Sequence, residues 1–406
     1  MKIGIVIPCY NRVSSLQRLL ISLLEANYGN FQVDLAFSID YSGTDEVELV
    51  ATTFVWPFGK KRLFVHPQNI GLKQNVLFCG DLVDEYDAVI VLEDDLYVAC
   101  DFYQFAKQAA LYYQNNKAIA GISLYSYQYA EIGNFQFYPF HDDKDNFFMQ
   151  WPSSWGQLWT KRQWRAFRNW LLLNKDIATI NIPSKVKEWS QSWKKFFIAY
   201  MVDTHKYFVY PYVSYTNEFG TAGVHYSGEY TGQNTVDLFM GIDVLYRFRD
   251  FDYDSLFNYD CFYQWSDRLI KIENKKYRVT FDLYANKEVQ NISSDYVITS
   301  RMQSKSIASF SHLHIPFEYN ILKEVIGDFF FLVKRENFVL NELDIEKKIS
   351  LRFRLSTWDM INKVNERIKK KVKTIQHHMI LLRLSVNERI KKKVKTMVVN
   401  KCLHRG

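Results

Sequence analysis

A chain of 406 residues exceeds the roughly 250–300 that one hydrophobic core supports, so a large domain with additions is expected. Apolar residues at 48% and charged ones at 23% are those of a globular enzyme and exclude disorder over most of the length, while the 17% of aromatic residues suits either a bulky core or a surface that stacks on sugar rings. The net charge of +7 is concentrated in residues 363–406, where fourteen Lys or Arg stand against two acids; the rest is mildly acidic at −5, which excludes a nucleic-acid enzyme with a basic working face.

The five cysteines are scattered and form no C-x-x-C pair, so they read as reduced thiols. No apolar run reaches the ~18 residues of a membrane helix, and the apolar opening stops at Pro8, too short for a signal-peptide core. The expected location is therefore the cytoplasm.

In chain order, Lys2–Ile7 reads as a buried parallel strand. Ser14 opens a helix with Gln17 as capping-box partner, and Leu16, Leu19, Leu20, Leu23 and Leu24 form its apolar face. Val33–Asp40 alternates into a strand ending on Asp40, and Leu63–Val65 and Ala88–Leu92 repeat the pattern after further helical stretches. This order predicts an α/β fold, Rossmann-like, with a mostly parallel sheet and flanking crossover helices. Asp101 is placed to cap a helix with Phe102, Phe105, Ala106, Ala109 and Ala110 on one side. Between Tyr125 and Trp193 the pattern loosens into an aromatic-rich region. Strand signals return near Lys206–Ser214, and the stretch from about Thr235 to Ser350 mixes short signals of both kinds without an assignable topology.

Ligands of an open parallel sheet bind beyond the carboxyl ends of its strands. Pro8–Arg12, Asp40, His66–Lys73 and Glu93–Asp95 all fall at such ends, so four loops converge on one rim. Three consecutive carboxylates after a buried strand repel one another unless a cation sits beside them. Mg²⁺ or Mn²⁺ suits them, because these ions often take one or two carboxylates and complete their shell with water and diphosphate oxygens. The competing reading of the triplet is a capped, solvated acidic turn.

Ile3–Arg12 resembles the opening of family 2 glycosyltransferases. Val91-Leu92-Glu93-Asp94-Asp95, with the later Asp101-Phe102-Tyr103, resembles the Glu-Asp-Asp motif of N-acetylglucosaminyltransferase I and related bacterial enzymes. The similarity runs over roughly residues 1–235. It implies a GT-A fold, a nucleoside diphosphate sugar as donor and a divalent metal (Mn²⁺ or Mg²⁺) as cofactor. Asp95 would bind the metal, and Glu93 and Asp94 would contact ribose or the first metal shell. Pro8, Asn11 and Arg12 would line the base and phosphate side, with Asp40 on the base or ribose. Asn69–Asn75 matches an Asn-x-Gly segment whose helix N-terminus and Lys73 can face phosphate. Trp151–Trp159 resembles the Ser-Trp-Gly segment of the acceptor side, marked by Trp155. Tyr210-Pro211 followed by Asn217, Gly220 and His225 resembles a terminal motif whose histidine closes over metal and diphosphate.

Inverting relatives often carry their general base in a Trp-Asp-x-x-Trp type segment. Here the counterpart is Glu188-Trp189-Ser190-Gln191-Ser192-Trp193, with serine at the expected Asp position, so Glu188 is the nearest candidate and Asp142, Asp143 and Asp145 are reserves. The implied organisation is a catalytic domain over 1–235 (nucleotide-sugar half 1–123, acceptor half 124–235), an accessory region over 236–350 and a basic helical tail over 351–406. The acceptor would be a saccharide or a lipid-linked glycan, commonly of a bacterial surface polysaccharide. A sugar nucleotidyltransferase is the first competitor, but Pro8-Cys9-Tyr10-Asn11 is unlike the glycine-rich basic loop of such enzymes. A catalytically silent saccharide-binding protein is the second.

The tail holds a near-exact repeat: Val364–Thr374 recurs as Val386–Thr396. Its valines and isoleucine fall on one helical face and its lysines on the other. This basic amphipathic pattern predicts peripheral attachment to an anionic membrane surface, on the inner face of the cell membrane.

Overall fold

The computed structural model describes residues 1–133, 135–174, 176–218 and 235–353. The first elements are β1 (Ile3–Cys9), α1 (Val13–Leu24), β2 (Asp34–Ile39), α2 (Glu46–Thr53), β3 (Lys61–Val65), α3 (Gly71–Asp81), β4 (Ala88–Val91), β5 (Leu96–Val98) and α4 (Phe102–Tyr113). Then come β6 (Ile119–Ser123), β7 (Asn146–Met149), β8 (Gln157–Thr160), α5 (Lys161–Leu173), α6 (Ser184–Lys187), α7 (Trp193–Asp203), β9 (Tyr207–Pro211), β10 (Thr216–Glu218) and β11 (Asn258–Tyr259). The last are β12 (Arg268–Ile272), β13 (Lys275–Asp282), β14 (Tyr296–Thr299), β15 (Ala308–Phe310), α8 (Glu318–Leu322), β16 (Phe330–Lys334) and α9 (Ile345–Phe353).

A nine-stranded sheet runs in the order β11-β7-β9-β6-β8-β4-β1-β2-β3. β3, β2, β1 and β4 are parallel, as expected; β8 then enters antiparallel between β4 and β6, and β9 between β6 and β7 is parallel to the first and antiparallel to the second. All seven residues of β1 are buried because helices cover both faces. Ile3, Ile5, Ile7 and Cys9 pack with the leucines of α1 and the apolar face of α4, while α3, α5 and α7 cover the opposite face. This mixed α/β sandwich, a largely parallel sheet between flanking helices, is the architecture that the sequence predicts.

Two helix starts differ from expectation. α1 begins at Val13, ahead of the expected Ser14–Gln17 box, and no side chain caps it. Arg12 holds the cap position and turns its guanidinium to the acids at the end of β4. Asp101 does precede α4, but its fully buried carboxylate faces away from the helix. It accepts hydrogen bonds from Tyr246 Oη at 2.6 Å and Asp243 N at 3.1 Å, which ties the 243–246 segment across α4.

Most of the aromatic excess is core. Trp151, Trp159 and Trp164 are fully buried, and Trp159, Trp164, Phe167 and Phe197 interlock between the sheet, α5 and α7. Gly80 of α3 makes room for this layer: a Cβ there would lie 2.1 Å from the Trp164 ring.

The stretch that the sequence left unassigned contributes β11 to the edge of the first sheet and then builds a second, in the order β12-β13-β14-β16-β15. β12 and β13 form a hairpin through Glu273 and Asn274, both at positive φ, as a two-residue turn between right-twisted strands requires. Contacts such as Phe135 stacked on Tyr284 at 3.7 Å and Asn181 bonded to Asn291 at 2.5 Å join this sheet to the first. Residues Met1–Leu343 form one unit; a second, Asp344–Gly406, starts with α9. The repeat-bearing tail lies outside the described residues.

Candidate active site

The acid triplet sits where its geometry is fixed from both sides. Leu92 N still donates to Val6 O at 3.0 Å, so the chain leaves β4 in register with β1. Three residues later β5 pairs antiparallel with β10, placing Leu96 against Glu218 and Tyr97 against Asn217. Glu93, Asp94 and Asp95 form the turn between these anchors, with Asp94 and Asp95 buried.

Arg12 crosses from the β1–α1 loop and pairs with Asp95 Oδ2, with Asp94 Oδ1 at 3.7 Å; Tyr10 N donates to Asp94 Oδ2 at 3.4 Å. One guanidinium faces three acids. Burial pushes the Asp94 carboxyl up to about 7, with the charge of Asp95 adding to it and Arg12 opposing. Glu93 is raised in the same way, by burial and then by its two neighbours, against the weaker pull of Arg12 and Lys194. Burial opposes the charge on Arg12, but its three acidic neighbours prevail and hold it above its ordinary value.

Asp95 Oδ1 is buried and has no hydrogen-bond partner among the described residues. An unpartnered carboxylate oxygen beside further carboxylates is the donor chemistry that Mg²⁺ or Mn²⁺ takes, so the residues present fit the implied ion. Among the described residues no three His, Cys, Asp or Glu side chains close around a metal, so donor oxygens and water would have to complete the shell. His225, the expected histidine ligand, lies outside the described residues.

The other rim residues have distinct surroundings. Pro8 is buried in β1 opposite Ser38, and Asn11 is exposed at the tip of the following loop. Asp40 is buried at the end of β2, where Oδ1 accepts from Ile70 N at 2.8 Å and Tyr41 N at 2.9 Å and Oδ2 from Gly71 N at 2.9 Å. Its carboxylate thus pins the start of α3 to the rim. Lys73, in the first turn of α3, points to α7 with Nζ 4.2 Å from the Phe196 ring, and burial followed by the charge of Lys195 lowers its pKa.

Beyond the triplet stands a wall of aromatic rings. Half-buried Trp155 has its ring 4.7 Å from Tyr125 and 5.6 Å from Tyr127. Gly156 follows at φ +92°, and a Cβ there would meet Thr216 at 2.8 Å, so this turn requires glycine. Behind Trp155 lies a group that sequence reasoning missed. Lys194, 4% exposed, pairs with Glu131 and reaches Tyr127 Oη at 3.0 Å; Glu131 Oε2 also accepts from Tyr127 Oη and from Trp151 Nε1, each at 3.1 Å. Lys194 is thereby a second cation acting on Glu93. Its only sequence signal is a lysine pair after Trp193.

Glu188 ends α6 with an exposed side chain that makes no hydrogen bond or ion pair among the described residues. Its neighbour Trp189 packs edge-on against Trp151 at 6.1 Å, which brings the segment to the aromatic wall. The reserve acids are engaged elsewhere: Asp142 pairs with Arg249, and Asp145 accepts from Arg247 N at 2.5 Å.

Residues 4–172 match the model of glycosyl transferase family 2. The matched stretch holds the parallel strands, Arg12, the acid triplet and Trp155, and it supports a glycosyltransferase. No curated protein matches the chain in sequence. Solved structures similar to it include S. aureus TarS 1-349 (13% identity over 54% of this chain and 61% of that one, TM-score 0.35). Also similar are the mannosyltransferase PcManGT from Pyrobaculum calidifontis in complex with GDP-Man and Mn²⁺ (11%, 42% and 46%, 0.30) and GalNAc-T7 with UDP, GalNAc and Mn²⁺ (11%, 52% and 42%, 0.36). The glycosyltransferase-like chain thus spans between 42% and 61% of the length of these three structures.

Proposed function

We propose that the chain is a metal-dependent, inverting glycosyltransferase that moves a hexosyl or N-acetylhexosaminyl group from a nucleoside diphosphate sugar to a saccharide or lipid-linked glycan. The observation that carries this reading is the triplet Glu93–Asp95, with Asp94 and Asp95 buried and an Asp95 oxygen that is unpartnered among the described residues, lying at a strand-end rim inside the family-matched residues. When bound at Asp95, Mg²⁺ or Mn²⁺ acts as a Lewis acid toward the leaving diphosphate.

The chain's own residues supply the rest. Arg12 exchanges its pairing with Asp95 for the donor phosphates, and Pro8 and Asn11 border the base. Asp40 fixes the α3 N-terminus at the rim, and Lys73 in its first turn complements negative charge. Trp155 offers a ring face to the acceptor. As the acceptor oxygen bonds to the anomeric carbon, the bond from that carbon to the diphosphate breaks and the hydroxyl proton passes to Glu188. Glu131 is less suited to this role, because a carboxylate already bonded to Lys194, Tyr127 and Trp151 is a poor proton acceptor.

The basic repeat of the tail supports attachment to an anionic membrane surface on the cytoplasmic side, where a lipid-linked acceptor would be found. No helix among the described residues is long and apolar enough to cross a membrane. The deciding assay incubates the protein with UDP-, GDP-, dTDP- and CMP-sugars and Mn²⁺ and measures free nucleotide. Metal-dependent release of a nucleoside diphosphate is expected from at least one donor. Pyrophosphate exchange in its place would indicate a nucleotidyltransferase, and no release with saccharide binding intact would indicate a silent binding protein.

A further inference from the structure

A second concavity lies at the opposite end of the first sheet. The strand ends of β4, β6 and β9 are level with one another, so Tyr207, which opens β9, is at the far edge from the acid triplet; Gln150, which follows β7, lies beside it. The five residues of β9 put about 15 Å between the two edges. The walls come from the end of α7, the loop between β11 and β12, β13 and the segment before β14. Its volume of about 760 Å³ is that of a ligand site, and of its lining only Gln150 falls within the family-matched residues.

The lining is selective in charge. Five aspartates stand against Arg278 and Lys287, and Lys287 is already paired with Asp260 at 2.5 Å. This excess of carboxylate repels phosphate, so the cavity is not a second donor site. Its local chemistry is hydroxyl to carboxylate: Asp267 Oδ2 accepts from Thr280 Oγ1 at 2.8 Å, from Ser294 Oγ at 2.9 Å and from Ser293. Tyr253, 52% exposed, adds an aromatic ring suited to sugar C–H groups, and exposed Arg278 adds a forked donor for hydroxyls.

We propose that this cavity binds a stretch of neutral oligosaccharide, holding the glycan acceptor at a point remote from the transfer site. The identity of the occupant rests on the transferase reading above; the binding itself does not. The full chain, without donor or metal, is titrated by calorimetry with cellotetraose, mannotetraose and chitotetraose, with tetragalacturonate as the anionic arm and a glucosamine tetramer as the cationic arm. At least one neutral oligomer is expected to bind, with affinity falling on the order of tenfold in Tyr253→Ala and in Arg278→Ala and unchanged in Asp95→Ala. Both cavity side chains are exposed, so an unchanged melting temperature verifies the fold of each variant. The proposal is overturned by no binding of any neutral oligomer, by preference for either charged arm, or by loss in Asp95→Ala with Tyr253→Ala unaffected. Failure of the transferase reading registers separately, as absent nucleotide release with saccharide binding intact.

Discussion

Buried carboxylates occur in two regions of this molecule, and their company differs. Around the second sheet, Asp260 in the loop before β12 meets Lys287 at 2.5 Å, and Asp282 at the end of β13 meets Arg301 Nε at 3.0 Å while also accepting from Lys287 N and Thr299 Oγ1, each at 2.9 Å. At the rim of the first sheet three acids share Arg12, and one buried oxygen has no partner among the described residues. Paired burial is architecture, whereas crowded, under-compensated burial stores repulsion that an added cation relieves. The contrast assigns function by what is missing around a charge and not by burial.

The strongest way to break this comparison is at its two centres. Asp95→Ala is expected to abolish metal-dependent donor binding and turnover without lowering stability, since removing one of three crowded charges relieves repulsion. Metal titration, nucleotide release and urea unfolding read the three effects, and undiminished transfer would remove the metal assignment. Lys287→Met has the opposite profile: with Asp260 left buried and unpaired, stability should fall by about 3–5 kcal/mol. Donor binding at low temperature, where the variant is folded, should stay near that of the parent chain.

Next in size is Glu188→Gln, expected to lower turnover ~10²-fold with donor affinity unchanged, the usual worth of a general base. A normal rate would transfer the proton-accepting role to another carboxylate near the aromatic wall.

These expectations differ in how far the sequence alone supports them. The strands β1 and β4 are legible because burial on both faces turns them into continuous apolar runs, β2 is legible by its alternation, and the triplet is legible because it follows β4 directly. The pairing of Lys194 with Glu131 is not, since 63 residues separate the partners and Glu131 lies in a loop without periodicity. Asp101 misleads for the same reason: a cap is a local inference, but its carboxylate is claimed by a segment 142 residues away. The second sheet escapes detection because its strands are short or charged. β15 has three residues, and the Lys275–Arg278 part of β13 is largely exposed.

The smallest effect sharpens the comparison from within the second region, through its one exception. Glu318 is buried and has no ion pair among the described residues; burial pushes its carboxyl up to about 7, against the weaker pull of backbone N–H groups and Arg268. A raised carboxyl binds a proton in the folded state that the unfolded chain has released near its ordinary value of 4.5. The stabilisation is therefore full below that value and is lost as pH rises through about 7, by at most about 1.4 kcal/mol per pH unit. Glu318→Gln should flatten this part of the stability profile, measured by urea unfolding between pH 4.5 and 8. Added Mn²⁺ should leave the Glu318 contribution untouched, while flattening the contribution of Glu93 and Asp94, whose protons a cation at the rim displaces. If Mn²⁺ left the whole profile unchanged, the acids of the rim would be no different in kind from Glu318, and burial alone would account for both.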